Sequence, residues 1–589
     1  MTVPQYLAAI GAFASPGRIE QLVQAASRLD LDLVFQSDSL TVLANSTAAP
    51  LVLSGQRGVV VGTVFHRSGN LENVCNVASN VVAADAIEKE LVRSYWGAYV
   101  AFACEHPRRG ARVFRDPSGS LGCYWNRADG VDVVYSDVAL AQALGLITGE
   151  PDPTSVAHHL TFRALRVERT ALAGVHEVLP GTSVTLDGAG AAASVCAWTP
   201  WVFGKRDSQI ADRSEAIALL RAETQRCVSS WAEHFPSILH ELSGGLDSSI
   251  VAACLSGREG ALSCINLVTP DPGADERSYA QRVADRIDAP MRTAKLDVAG
   301  SDLAGLAESM TVRPGSGMLY QVLDRILTGA AEQAGADACF SGGGGDHIFC
   351  YLQTAAPAAD ALRRHGPGMV FLRSVRDLAG LHDCTAWRAG RLALTKACRP
   401  LRSWPRDIDF LAKDRAPTSP DPHPWLEPPP GALHGQQEHI LSLTAAQGPL
   451  ASQIHHGRAA ICYPLLSQPL VEVCLRIPSW MWISEGRNRA VARDAFADQL
   501  PPTILQRRTK GDFGGFQGAL FEKHRNDLAG LLLDGWLASH GLLDREAIEA
   551  YLKSSTPLKD YRFSRLMDLA TAEVWARSWL EQSRSRMAV

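Results

Sequence analysis

Residues 241–249 read Glu241-Leu242-Ser243-Gly244-Gly245-Leu246-Asp247-Ser248-Ser249. The apolar run 237–242 before them predicts a strand, and 248–255 predicts a helix directly after the glycine turn. In such a turn the glycines let backbone N–H groups approach a phosphate closely. The first turn of the helix adds unpaired donors and the positive end of its dipole. The hydroxyls of Ser243, Ser248 and Ser249 are further donors. Asp247 is out of place among phosphate donors, because a carboxylate repels phosphate; a bridging Mg²⁺ resolves the conflict. The stretch is not the GxxxxGK[ST] loop, and none is found elsewhere in the chain.

The pattern around this turn predicts a parallel α/β sheet. A helix over 214–235 carries apolar residues at Ile217, Leu220, Cys227, Val228 and Trp231. Strands over 237–242, 261–267 and 337–340 alternate with helices over 275–287 and 319–334. After the third strand comes Ser341-Gly342-Gly343-Gly344-Gly345-Asp346-His347-Ile348-Phe349, whose Asp346 is a candidate second ligand for the same Mg²⁺. Farther on, Arg507-Arg508-Thr509-Lys510-Gly511 is a third candidate. Only nine of the chain's 57 basic residues are lysines, so a lysine in this place is informative.

Residues 1 to about 200 differ in texture. Short Val- and Leu-rich runs at 58–64, 97–104, 111–114 and 131–136 predict antiparallel strands. Residues 116–119 (DPSG) predict a turn, and 17–29 and 85–95 predict helices. The polar stretch 203–212 marks the boundary. Residues 398–436, rich in proline and arginine, predict a long irregular loop of the kind that serves as a lid or is disordered. The remainder, 437–589, is predicted helical, and no internal repeat is present.

With 589 residues, 46% hydrophobic and 20% charged, the chain has an ordinary globular composition, which excludes disordered, collagenous and coiled-coil classes. The net charge of −5 speaks against a nucleic-acid binder. Thirteen cysteines, an odd number without a CxxC pair, point away from a disulfide framework or structural zinc and toward a reducing, cytoplasmic setting. No signal peptide and no membrane span is read from the sequence.

The SGGLDSS stretch resembles the pyrophosphate loop of ATP pyrophosphatases of the asparagine-synthetase-like branch, whose members form an acyl-adenylate and release pyrophosphate. The resemblance implies an adenine-nucleotide α-hydrolase-like parallel sheet with helical additions over 212–589. It places Ser243, Gly244, Gly245, Asp247, Ser248, Ser249, Leu267, Ser341 and Gly342 about ATP, and Asp247 and Asp346 on Mg²⁺. Lys510 matches the lysine that contacts pyrophosphate, and Arg489 and Arg493 match a basic pair. Arg313 and Ser316 stand where the family has substrate-side residues. Residues 97–102, Arg115-Asp116-Pro117-Ser118-Gly119, Tyr124, Tyr135-Ser136-Asp137 and Val178-Leu179-Pro180-Gly181 resemble the family's glutamine amidotransferase unit. That implies an N-terminal-nucleophile-hydrolase-like αββα domain over 1–205.

The departures from the family are specific. Thr2 stands where the glutaminase carries its nucleophilic cysteine, and Gly62-Thr63-Val64-Phe65-His66 stands in place of the glutamine-gripping Asn-Gly-Glu. The amidotransferase unit is therefore expected to be inactive. Gly343 replaces the Glu of asparagine synthetases and the Tyr of β-lactam synthetases, and 458–463 holds no carboxylate before Pro464. The loss of both side chains is expected to open the substrate pocket.

SGGGGDH beside an inactive amidotransferase unit resembles the lasso-peptide cyclases. Those enzymes adenylate an Asp or Glu side chain of a precursor (core) peptide and close a macrolactam, an isopeptide-bonded ring, with its N-terminal amine. A leader peptidase and a leader-recognition protein are the implied partners, with no nucleic acid and no membrane. His347 is a candidate base for the amine proton, as are His455, His456 and Tyr463. The alternatives are asparagine synthetase, a β-lactam-forming small-molecule ligase, and a non-catalytic scaffold. Intact Asp247, Asp346 and Lys510 speak against the last.

Overall fold

The computed structural model describes residues 4–11, 16–67, 83–106, 110–188, 192–299, 301–303, 310–315, 317–452, 459–508, 511, 513–554 and 560–587. The N-terminal part holds two six-stranded antiparallel sheets. Tyr6–Ile10, Leu40–Ala44 and Val131–Tyr135 lie at the centre of the first; Tyr95–His106 and Gly58–His66 lie within the second. Tyr6, Ala8, Val42 and Val134 of the first sheet meet Val59, Val61, Val100, Phe102 and Val113 of the second in one core. Alternation along each strand sends every second side chain into this layer.

Helix Ala84–Ser94 covers the outer face of the second sheet through Ile87 and Leu91. Ala26 of helix Pro16–Ser27 packs on the outer face of the first, with Leu7, Leu43 and Tyr135. The result is the expected αββα order.

The C-terminal part is built on a five-stranded parallel sheet in the order Met291–Lys295, Ala261–Val268, Ser237–Glu241, Ala338–Ser341, Ala460–Cys462. The chain winds outward from Ser237–Glu241 in one direction, then returns to Ala338–Ser341 and winds outward in the other. These two adjacent strands therefore form the topological switch point, where open parallel sheets bind ligands at the carboxyl ends of their strands. Helix Arg213–Glu233 leads in, its first turn capped by Asp212, which accepts the Glu215 N–H at 2.9 Å.

Two strands of this parallel sheet were not anticipated. Met291–Lys295 is a polar edge strand, and Ala460–Cys462 is three residues long inside a stretch expected to be helical. The first lacks apolar alternation, and the second is too short to show any.

Residues 399–433 are irregular as expected, but they form a strap packed onto the body. Trp404, Phe410, Leu411 and Trp425 are buried. Asp421 accepts from Arg169 at 2.9 Å, and the Trp201 indole donates to the Trp425 carbonyl at 3.0 Å. These anchors fasten the strap to the body.

Among the described residues no helix is long and apolar enough to cross a membrane.

Candidate active site

Both glycine loops leave the sheet at the switch point. Gly244 has φ +74°, a conformation that favours glycine, and a Cβ there would meet the Ala280 backbone nitrogen at 2.7 Å. The Ser243 hydroxyl lies 3.0 Å from that of Ser248 and accepts the Gly245 N–H at 3.2 Å. Ser249 donates back to the Gly245 carbonyl at 2.7 Å. These bonds shape the loop into helix Leu246–Leu255, whose N-cap is Gly245 with no side-chain cap bond. The helix start is therefore a set of backbone donors that suits an anion.

The second loop is pressed against the first. A Cβ on Gly342 would sit 2.5 Å from the Ser248 nitrogen, and one on Gly345 would sit 2.4 Å from the Asp247 Cβ. Glycine is needed at these two positions because the two loops share the space. The ring of His240 adds to the join: its Nδ1 and Nε2 lie 3.0 and 2.9 Å from the carbonyl oxygens of Phe340 and Ser248.

Asp247 and Asp346 converge on Arg489. Arg489 Nη1 donates to both oxygens of Asp247, at 3.0 and 2.8 Å, and to Asp346. The Arg489 guanidinium is buried and faces the Tyr351 ring at 5.1 Å. Among the described residues no set of three or more His, Cys, Asp or Glu side chains gathers as a metal cluster. Two carboxylates close enough to share one guanidinium nitrogen do match the way Mg²⁺ is held in nucleotide sites, through one or two carboxylates and the phosphates.

Arg493 is also buried. It donates to the carbonyls of Ile504 at 3.2 Å, Leu505 at 2.7 Å and Arg507 at 3.2 Å. Arg507 in turn lies over the Tyr279 ring at 4.1 Å, pairs with Glu276 and donates to the Gly244 carbonyl at 3.2 Å. Gly511 N–H donates to the same Glu276 at 2.9 Å. The segment on either side of 509–510 is thus fastened beside the first glycine loop. Lys510 itself, like Ser316, His455, His456 and Thr2, lies outside the described residues. Leu267 lies on the strand Ala261–Val268 that neighbours Ser237–Glu241.

Two expectations are corrected. Arg313 does not face a substrate. It is buried and bonded to Glu177 and to the backbone carbonyls of Val167 and Arg169. Glu177, fully buried, also accepts from Arg115 at 2.7 Å and from Arg166. Burial alone would raise the Glu177 carboxyl, but the charges of Arg166, Arg313 and Arg115 hold it at about 2. A guanidinium spent in this way ties the 310–315 segment to the N-terminal sheets.

Gly343 does not open a pocket by its bareness. A Cβ there would meet the Tyr463 ring at 2.7 Å, so the tyrosine occupies the space beside it.

His347 lies on the short helix Gly345–Ile348, with its Nδ1 2.8 Å from the Ser442 hydroxyl. In the N-terminal part, Arg115 and Asp116 serve the scaffold. Arg115 donates to the Gly119 and Leu121 carbonyls at 2.7 and 2.8 Å. Asp116, pushed up to about 6 by burial, accepts the Ser118 and Tyr99 N–H groups at 2.8 and 3.2 Å.

One carboxylate was missed in sequence. Ser341 Oγ donates to Glu241 Oε2 at 2.7 Å, across the two central strands. It ends a strand just before the glycines, and only strand pairing reveals what it faces.

Phosphate donors at a switch point, with two carboxylates opposite them, define a nucleotide-using α/β fold. The family model described as asparagine synthase matches residues 219–577, and the chain belongs to that family. Its members are ATP-dependent ligases that release AMP and pyrophosphate. Carboxyethyl-arginine beta-lactam-synthase of Streptomyces clavuligerus is 32% identical over 117 residues, which cover 20% of this chain and 22% of that protein. The chain thus spans about a fifth of the length of that curated relative.

Among solved structures, glutamine phosphoribosylpyrophosphate amidotransferase from B. subtilis aligns over 57% of this chain and 80% of its own, at 12% identity and a TM-score of 0.21. NMN synthetase from Francisella tularensis aligns over 24% and 59%, at 15% identity and a TM-score of 0.15.

Proposed function

We propose that this chain uses ATP to adenylate an Asp or Glu side chain of a precursor peptide and then closes a macrolactam with the peptide's N-terminal amine. The carrying observation is the convergence of Asp247 and Asp346 on one nitrogen of Arg489, directly beside the uncapped start of helix Leu246–Leu255. On this reading the loop 243–249 receives the phosphates, and Leu267, Ser341 and Gly342 line the nucleotide. Asp247 and Asp346 would hold Mg²⁺, which when bound offsets charge on the departing pyrophosphate. Arg493 and Arg507 position the segment that carries Lys510, whose charge stabilises the transition state. Residues 212–589 would perform the chemistry, and 1–205 would serve as an inactive amidotransferase-like scaffold.

An acyl-adenylate is already activated, so holding the amine beside it removes much of the remaining barrier, about 7–11 kcal/mol in favourable cases. The committed state of Arg313 supports a peptide substrate. A free amino acid brings an α-carboxylate that must be paired, whereas an Asp or Glu inside a peptide does not. A leader peptidase and a leader-recognition protein would supply the peptide in the cytoplasm. A second reading, a small-molecule ligase of the β-lactam-forming kind, is favoured by the 117-residue match and by the Tyr463 ring beside Gly343.

The test is pyrophosphate release from Mg·ATP with four acyl donors: aspartate with ammonia, aspartate with glutamine, carboxyethyl-arginine, and synthetic peptides with a free N-terminal glycine and one internal Asp or Glu. Release with a peptide, with loss of one water from its mass, is the expected result. Release with carboxyethyl-arginine alone would establish the second reading. Release with free aspartate alone would make the chain an asparagine-forming enzyme.

A further inference from the structure

We propose that helix Ala386–Ala397 is a docking surface for an anionic phospholipid membrane. Trp387 and Leu394 enter the headgroup layer, and the arginines around them meet the lipid phosphates. The inference is independent of the ligase reading above.

This helix buries its small side chains and displays its large ones. Ala389 and Ala393 pack with Ala358, Phe371, Val375 and Leu378 of the neighbouring helices Ala356–His365 and Met369–Leu381. Trp387 is 83% exposed, Leu394 51% and Leu392 46%. Met369 and Leu372 on the adjoining helix are exposed as well. Five of the eleven large apolar side chains that stand exposed among the described residues therefore lie within 369–394, a clustering that singly scattered surface residues do not show. The Thr385 hydroxyl accepts the Arg388 N–H at 3.2 Å, so the turn that carries Trp387 is capped.

The charge of the face is of one sign. Positions 387, 391 and 394 follow one another along one side of the helix, so Arg391 stands between Trp387 and Leu394. Residues 384–406 hold six arginines and lysines and no Asp or Glu, in a chain whose net charge is −5. Lys396 is taken by Glu438 at 2.5 Å. Arg388 and Arg391, with Arg373 on the adjoining helix, are exposed, and among the described residues none of these three side chains has a hydrogen bond or ion pair.

A lipid surface fits this face better than a protein or a nucleic acid. Protein partners meet a patch with both signs of charge and a mosaic of hydrogen bonds. An anionic leaflet is a continuous sheet of one sign, and it attracts clustered arginine and lysine. Leu392 and Leu394 have no ring to stack on a base, so aliphatic bulk beside arginine is of little use to a nucleic acid. At the boundary of headgroups and acyl chains an indole finds apolar contact on its rings and a polar partner for its N–H. Arginine lays its methylenes along the apolar layer and grips phosphate with its planar fork. A helix lying in the interface plane needs no membrane span, and among the described residues none is present.

Sedimentation of the full chain with vesicles tests the proposal. Vesicles of mixed phosphatidylglycerol and phosphatidylcholine are compared with vesicles of phosphatidylcholine alone, and a filter assay with duplex DNA runs beside them. The expected result is binding to the phosphatidylglycerol vesicles that weakens as salt rises, with partition onto pure phosphatidylcholine at least about tenfold lower. R388Q/R391Q should lower partition about 25-fold, about fivefold for each arginine. W387S/L394S should lower it at least about tenfold, through lost apolar contact. All four side chains are exposed, so both double variants should keep the wild-type melting temperature. No binding of the wild-type chain to phosphatidylglycerol vesicles would overturn the proposal and leave the face to an acidic protein. Wild-type partition by either double variant would also overturn it. Tighter retention by duplex DNA than by the vesicles would assign the face to nucleic acid and overturn it too.

Discussion

Arg489 Nη1 lies 3.0 and 2.8 Å from the two carboxylate oxygens of Asp247, and the same nitrogen donates to Asp346. Residues far apart in the chain thus form a single charged contact beneath the two glycine loops. Asp247→Ala and Asp346→Ala are each expected to reduce pyrophosphate release at least about 100-fold. Arg489→Lys supplies a point charge in place of a planar fork and should lose at least about tenfold. Arg489→Met leaves the two carboxylates without their shared cation and should also lower the melting temperature. Steady-state pyrophosphate assays and thermal melts check all four; wild-type release by either aspartate variant would remove this pair from the chemistry.

The contact of Gly343 with Tyr463 predicts non-additivity. Gly343→Ala puts a methyl group into the tyrosine ring and should cost about 1–3 kcal/mol, the usual range for overpacking. In the Gly343→Ala/Tyr463→Ala double variant that clash is gone, so the total should be less than the sum of the single changes. Urea titration of the four proteins measures the coupling, and strict additivity would mean that the ring moves aside freely.

Glu177 carries the pH dependence. Its folded-state carboxyl lies near 2, below the ordinary range, because Arg166, Arg313 and Arg115 outweigh the burial that opposes them. A depressed carboxyl stabilises the fold above its unfolded value, and that contribution fades as the pH falls from about 4.5 toward 2. Glu177→Gln should destabilise by about 3–5 kcal/mol near neutrality, since three buried guanidinium groups lose their counter-charge. It should also flatten the acid limb of the melting-temperature profile. An unchanged acid limb would assign that limb to other carboxylates.

The strap is expected to resist proteases. Trp425 is buried, its ring centroid is 5.3 Å from that of Trp198, and its carbonyl holds the Trp201 indole. Trypsin should spare the arginines of 399–433 in the native protein. Trp425→Ala, at a cost of about 3–5 kcal/mol, should loosen the strap backbone and admit cleavage at them. Rapid cleavage of the wild-type strap, followed by peptide mapping, would show instead that it opens as a lid.

Much of the C-terminal sheet was legible before any coordinates. Ser237–Glu241, Ala261–Val268 and Ala338–Ser341 are apolar strands next to clear helix signals, and both glycine loops follow their strands directly. Met291–Lys295 escaped because an exposed edge strand has no apolar face to bury. Ala460–Cys462 escaped because three residues carry no period. Arg313 was misjudged for a different reason. A buried arginine and a substrate-binding arginine look the same in sequence, and the difference is Glu177, on a distant strand.

The sequence alone determined the chemical inventory: glycines where backbone must approach phosphate, serines that donate, carboxylates suited to a divalent cation, and apolar periods that order strands and helices. These are local properties, set within a few residues of chain. Tertiary structure alone decided which charges meet. It joined Asp247 and Asp346 through Arg489, placed Tyr463 beside Gly343, spent Arg313 on Glu177 and brought Glu241 to Ser341. Such pairings depend on strand order and on burial, because Coulomb attraction and hydrogen bonds act over a few ångströms of space, whatever the separation along the chain.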